Sequence, residues 1–354
     1  MTYTEENYQN LFSRISQKFG GTFPSNVTLL TYFRFLYSFC YRPFLGDKYK
    51  DTGLFFDQQE SRSAQSEKAP SLTFNNSGMD TLISYYMTKN RKLKANLLAK
   101  LLISFDEVHN LVHQRIQEFY DNLFIDEIQD FGGFDYDFII DIAETIDCCY
   151  VGDFYQHTYD TSRVGNKNKN LHKNIDNYVM RFKKQGFQID RETLSGSYRC
   201  PPHICQFIQD KLGIKISSLC PNSRNGMIGL VTEHEKISRL LADPLIVKLM
   251  YKDSHQFGDK FKNWGEVKGV DNFNDVCIIL TTSASNSLKA KDNFLGLSAT
   301  TLHKLYVAIS RSRRNCFLIT QKDFKEHVPQ EYTNSINAGA ENPKKMEQLF
   351  LDLC

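Results

Sequence analysis

No stretch of this sequence is long and apolar enough to cross a bilayer. The longest candidate, Val27 to Tyr41, is interrupted by Arg34 and falls short of the roughly 20 residues a spanning helix needs. The N-terminal MTYTEENYQN has no basic segment leading into an apolar one, so it does not read as a secretory signal. A dominant charge is lacking too. Lys and Arg number 43 against 41 Asp and Glu, a net charge of +2, so any groove for a polyanion must be a local arrangement. Nor is there a disulfide framework: the nine cysteines are odd in number, Cys148 and Cys149 are adjacent, and a chain of 354 residues can build its core without staples. A reducing, cytoplasmic setting is expected. Tryptophan occurs once, at Trp264, where core packing is the ordinary reading.

What is present is an alternation of apolar runs and helical periodicities. Residues 5–20 predict an amphipathic helix with Leu11, Phe12, Ile15 and Phe19 on one face, stopped by Gly20-Gly21 and Pro24. Val27–Leu30 predicts a strand running into the aromatic segment TYFRFLYSF. From about residue 44 to 90 the chain turns polar, with QQESRSAQSEKAPS its least structured part, and reads as an insertion. Helical periodicity resumes from Leu93 to Tyr120. Strands are then expected at 123–125, 148–151, 229–232, 244–250, 276–280 and 316–319, with helices at 134–146, 202–212 and 301–311. Continuous apolar strands separated by helices indicate α/β architecture with parallel sheets covered on both faces. Two consecutive α/β units follow, with a boundary near residues 190–196.

Two segments carry paired chemistry. In NLFIDEIQDF, residues 122–131, an apolar strand ends in Asp126, Glu127 and Asp130. Carboxylates at the C-terminal end of a parallel strand face the crevice where ligands bind in doubly wound sheets. One can hold Mg²⁺ and its neighbour can orient or deprotonate a water. An acidic helix start is the bland reading of the same residues. In CCYVGDFYQHTY, residues 148–159, another strand runs into Gly152, Asp153 and Gln156, whose amide could sense a terminal phosphate. One strand–helix unit separates the two motifs, so their ends should lie side by side in one sheet. Further on, ETLSGSYRCPPHI contains Arg199, and LYVAISRSRRNCFLI contains Arg311. Arginine offers a permanent planar charge suited to phosphate oxygens, although a solvated helix-end cation is the bland reading of each.

In this order and spacing the set resembles the UvrD-like superfamily 1 DNA helicases over roughly residues 1–322. DEIQD looks like motif II, GDFYQHTY motif III, LSGSYR motif IV, WGEVKGVDNFNDVCII motif V and YVAISRSR motif VI. The resemblance implies two RecA-like parallel-sheet domains of the P-loop NTPase type. The first would span residues 1–192, incomplete at its N-terminus and carrying an insertion at about 45–118. The second would span 193–325, with a tail at 326–354. It further implies ATP and Mg²⁺ as cofactors and movement along single-stranded DNA, 3′ to 5′. Asp126 would bind Mg²⁺ and Glu127 would be the catalytic base, while Gln156 would couple the γ-phosphate to the strand-binding groove. Arg199 and Arg311 would be arginine fingers from the second domain. Tyr32 and Tyr159 would stack on bases, at about 1–3 kcal/mol each, and Lys268 would meet a phosphate.

The pattern breaks at one point. No G-x-x-x-x-G-K-[ST] occurs anywhere, and not even one Gly-Lys pair. That loop's backbone amides and lysine cradle the β- and γ-phosphates. A truncated reading frame or a split gene, with a second polypeptide supplying the P-loop, is the simplest expectation. The chain by itself is then expected to hydrolyse no ATP. Thr161 also stands where the family often has an aromatic. The alternative from another class is a non-catalytic nucleic-acid- or partner-binding subunit; a third reading is an unrelated α/β hydrolytic enzyme using the acidic cluster with a metal.

Weaker signals are His109 and His113, spaced i, i+4 but with no Glu in an H-E-x-x-H pattern, and the partial zinc set Cys200, His203 and Cys205. Surface histidines, and cysteines without a second pair, are their ordinary readings. The basic loop KNKNLHKN at 167–174 could track a phosphate backbone or simply be solvated.

Overall fold

A computed structural model describes residues 1–56, 85–158, 167, 168, 170–220, 226–270 and 272–328. The chain divides into two compact units, Met1–Ile189 and Asp190–Cys354. Both are α/β with parallel strand pairing, as expected of RecA-like domains.

The first unit begins with α1, Glu5–Lys18, capped by Thr4, whose hydroxyl accepts from Asn7 N at 3.2 Å. This helix forms where its periodicity predicts, yet none of its residues is buried, and Phe19 is 61% exposed. The expected strand at Val27–Leu30 is not one. Backbone from Thr2 bridges Thr31, and the chain enters α2, a helical run over residues 32–49 whose middle, Phe35–Gly46, is π-helical and contains Pro43. The aromatic segment that follows is this helix, which buries Tyr32, Phe35, Leu36, Cys40 and Tyr41 on the core side.

Short strands β1 (Leu54–Phe55) and β2 (Leu93–Lys94) pair in parallel. The least structured polar segment, 58–71, lies outside the described residues, as does 329–354 of the tail. Two helices follow instead of one: α3, Ala95–Ser104, and α4, Asp106–Phe119, separated by extended backbone at Phe105. Leu97, Leu98, Leu101 and Leu102 are buried in the core of the unit.

The functional sheet is β3, Asn122–Ile125, in parallel with β4, Asp147–Tyr150, joined by α5, Gly133–Ile142. On the other edge of β3, Met1 N donates to Phe124 O at 2.6 Å and Asp126 N to Met1 O at 2.9 Å. Burial on both faces was expected, but burial alternates along these strands: Ile125 is 1% exposed while Phe124 is 64% exposed. Helix α6, Ile175–Lys184, closes the unit, with Tyr178 and Phe182 buried.

In the second unit a small parallel pair, β5 (Gly196–Ser197) with β6 (Ser217–Ser218), flanks α7, Pro202–Leu212. Proline at the helix start and Gly213 at φ +68 after its end mark the boundaries that periodicity predicts. The main sheet has five strands, all parallel, in the order β7 (Ile228–Leu230), β11 (Asn315–Thr320), β10 (Asp275–Leu280), β8 (Val247–Met250), β9 (Phe261–Asn263). Val276, Cys277, Ile278 and Leu280 on the central strand are fully buried, as a parallel strand covered on both faces must be. The crossovers are α8 (His234–Ala242), α9 (Thr282–Lys291) and α10 (Ala299–Ile309), with α11 (Gln321–His327) following β11. No helix among the described residues is long and apolar enough to cross a membrane.

Candidate active site

The acidic segment follows β3 directly. Glu127 sits at φ 60, ψ 40, the left-handed region that a non-glycine residue adopts at a cost, and a short 3-10 turn, Ile128–Asp130, follows it. Strand β4 ends beside it: Val151 N donates to Ile125 O at 2.8 Å and Ile128 N to Val151 O at 3.0 Å. The two motifs therefore lie side by side at the C-terminal end of one sheet, as their spacing predicts.

Gln129 joins them. Its side chain is completely buried, and its amide donates to the Glu127 carboxylate while its carbonyl accepts from Asp153 N at 3.1 Å. Asp153 in turn accepts from Gln156 Nε2 at 3.1 Å and from Tyr155 N at 3.0 Å. His157 Nδ1 lies 2.8 Å from the Gln129 backbone carbonyl. On the opposite side Asn7 Nδ2 reaches Glu127 Oε1 at 3.4 Å. A run of hydrogen bonds thus connects Glu127 to Gln156 through the Gln129 side chain and through the backbone N–H and carboxylate of Asp153. Neither connecting residue stands out in the sequence as functional. The only signal was their position inside the two motifs.

Gly152 makes this possible. A β-carbon there would fall 2.2 Å from Gln129 Oε1 and 2.8 Å from Ile128 Cγ2. The glycine is required for the close approach of the two loops and not for a positive φ.

Asp126 and Glu127 are two adjacent carboxylates at a strand end, an oxygen donor set of the kind Mg²⁺ takes. They fit the metal. The triphosphate finds no P-loop amides or lysine among the 354 residues.

Tyr32 requires a correction. Its ring is fully buried, edge-on to Phe131 at 4.7 Å between centroids, and its hydroxyl donates to Asp135 Oδ1 at 3.0 Å. A ring with no exposed face cannot stack on a base. Tyr159 and Thr161 lie outside the described residues. In the basic loop, Lys167 Nζ pairs with Asp137 at 2.8 Å, and Asn168 binds Gly133 O and Asp137, so these two residues anchor the loop to α5.

In the second unit, Arg199 and Arg311 meet at the C-terminal end of α10. Arg199 Nε donates to Ser310 O at 2.7 Å, and Arg311 Nε to Val307 O at 3.3 Å. Arg311 is 2% exposed and also donates to Val270 O at 3.3 Å. Cations at a helix C-terminus are favoured by the carbonyls left without intrahelical partners. Lys268 sits half-buried in the turn after β9, beside Gly269 at φ 85. Trp264, in the same turn, is completely buried. His203 is engaged by Arg314 O at 2.7 Å, and Cys200, His203 and Cys205 do not form a ligand cluster.

The "Viral superfamily 1 RNA helicase core domain" family matches residues 103–320, which is more than half of the chain and includes both motif-bearing sheets. No curated protein matches. Among solved structures, the PRRSV helicase is similar at 18% identity and a TM-score of 0.35, over 57% of this chain and 35% of that one. An arterivirus nonstructural protein 10 helicase, solved in complex with DNA, is similar at 13% identity and a TM-score of 0.36, over 58% of this chain and 40% of that one. The chain therefore spans well under half the length of those two proteins. The superfamily expected from the motifs is the one that matches, without singling out its UvrD-like branch. The protein belongs to the viral superfamily 1 RNA helicase core-domain family.

Proposed function

We propose that this chain is the motor core of a nucleic-acid-dependent nucleoside triphosphatase that moves along a single strand. The carrying observation is the polar connection from Glu127 through Gln129 and Asp153 to Gln156 at the adjacent ends of β3 and β4. In this reading Asp126 holds Mg²⁺, which neutralises charge on phosphate oxygens when bound. Glu127 accepts a proton from the attacking water, and its carboxylate is oriented by the Gln129 amide. Gln156, held by Asp153, answers to the γ-phosphate. Arg199 and Arg311 provide fixed positive charge for phosphate oxygens, and Lys268 contacts the strand backbone.

ATP is the nucleotide proposed. The family match favours RNA as the strand, while the UvrD-like resemblance of the motifs favours DNA with 3′ to 5′ movement. Competition between oligo(U) and oligo(dT) for the purified chain decides between them. Binding of either should fall steeply with salt. Turnover is expected to require P-loop residues from outside these 354 residues. The test is a strand-stimulated ATPase assay on the chain alone and on the chain supplied with a P-loop-bearing segment. Turnover in the second case that Glu127→Gln abolishes supports the reading. Absence of strand binding at low salt overturns it and leaves a partner-binding role.

A further inference from the structure

Outside the motif network, the first unit brings together three metal-ligating groups. His109 and His113 lie one turn apart on α4, with ring centroids 4.2 Å apart, and both aim Nε2 at Asp141 on α5. His109 Nε2 is 2.9 and 2.8 Å from the two Asp141 oxygens, and His113 Nε2 is 2.7 Å from Oδ2. All three donor atoms fall within 4.8 Å of one another. The side chains are 25%, 21% and 24% exposed, which shields the cluster while leaving a side open to water.

We infer that His109, His113 and Asp141 form a zinc site that braces α4 to α5. The donor set is two imidazole nitrogens and one carboxylate oxygen, with an open fourth position for water, which matches the chemistry Zn²⁺ prefers. Zinc bonds of about 2.0–2.2 Å in a tetrahedron set donor atoms roughly 3.3 Å apart, a separation that small side-chain rotations reach from the observed positions. The site also has a second layer. Thr145 Oγ1 contacts His113 Nδ1, and the Thr145 loop is held by Gln117 Nε2 donating to Thr145 O at 3.3 Å. A ligating histidine is commonly fixed in this way, its other ring N–H donating to an oxygen that sets the tautomer.

The brace has a defined place in the fold. Helices α4 and α5 are the elements immediately before and after β3 and its acidic turn in the chain. A metal joining them would fix the two ends of the segment that carries Asp126 and Glu127. This assignment stands apart from the nucleotide reading, since it uses none of its residues.

The test uses the full chain without a polyhistidine tag, stripped with EDTA and titrated with Co²⁺ and then Zn²⁺ near pH 7.5. One equivalent of Co²⁺ is expected, giving the intense visible bands of a four-coordinate ion, displaced by Zn²⁺ with a rise in Tm. His109→Ala and Asp141→Asn should lose stoichiometric uptake, and Thr145→Ala should weaken it about 10–100-fold. Nitrogen-15 imidazole spectra of the wild-type chain remove dependence on variant folding. Zinc should move the Nε2 signals of two histidines and leave their Nδ1 protonated. No stoichiometric uptake by the wild-type chain overturns the assignment, as do uptake unchanged in a folded His109→Ala chain and zinc-shifted signals from other histidines. The cluster is then a hydrogen-bonded imidazole–carboxylate group only.

Discussion

Gly152 and Gln129 touch across the ends of β3 and β4: a β-carbon at position 152 would lie 2.2 Å from Gln129 Oε1. The glutamine cannot retreat easily, because it is fully buried and holds both Glu127 and Asp153 N. Gly152→Ala should therefore force the two loops apart. The expected cost is about 1–3 kcal/mol of stability, read by urea unfolding. Strand-stimulated turnover in the P-loop-supplemented assay should fall as well, since the Glu127 orientation is lost. An alanine variant with unchanged unfolding midpoint would contradict the close approach.

Gln129→Leu separates structure from chemistry at the same point. It keeps the volume but leaves Asp153 N and the Glu127 carboxylate without the amide. A loss of about 1–3 kcal/mol is expected from the unsatisfied groups. Nucleic-acid affinity, measured by fluorescence anisotropy, should stay near wild type.

Tyr32→Phe tests the reassignment of the tyrosine from strand contact to core. Removing the hydroxyl leaves the buried Asp135 carboxylate without that donor, which should cost about 1–3 kcal/mol. Single-strand affinity should not change. A selective loss of binding at unchanged stability would restore the base-stacking role.

Arg199 and Arg311 should differ when truncated, although both reach the end of α10. Arg311 is buried and bound to two backbone carbonyls, so Arg311→Ala should lower stability by about 2–4 kcal/mol. Arg199 is only half-buried, and Arg199→Ala should cost about 1 kcal/mol. Loss of turnover in Arg199→Ala is then cleaner evidence for a phosphate role than loss in Arg311→Ala.

Asp275 gives the second unit a pH dependence. Hydrogen bonds from the Arg314 guanidinium hold its carboxyl below the usual range against the opposing effect of burial, with Arg314 charge and Asn315 adding to the lowering. A depressed folded pKa means the stabilisation is complete above the unfolded value of about 3.9. It is lost as pH falls through the folded value. Asp275→Asn should therefore be less stable than wild type at pH 7, with the gap narrowing as pH falls below that unfolded value. Unfolding midpoints at pH 7 and below that value check it.

Much of the fold could be read from residue order alone. Pro202 and Gly213 bound α7 because both act through local backbone geometry. The apolar runs at β10 and β11 were legible because a parallel strand covered on both faces demands continuous hydrophobicity, and those at β3 and β4 were legible as apolar runs although burial alternates along them. Val27–Leu30 misled because an apolar run that short satisfies a strand and a lead into a helix equally, and the core around Tyr32 decided the matter. Tyr32 shows the same limit from the side of function: an aromatic suited to stacking is equally suited to packing, and only its neighbours say which.

Local chemistry along the chain determined that carboxylates, a glutamine and arginines stand at strand and helix ends in a helicase order, and that no Gly-Lys phosphate loop accompanies them. Tertiary structure decided which side chains connect them. Gln129 bridges two motifs more than 20 residues apart, and Asp141 meets His109 and His113 from another helix. Periodicity reports only on neighbours within one element, whereas these contacts depend on how β3, β4, α4 and α5 pack against each other.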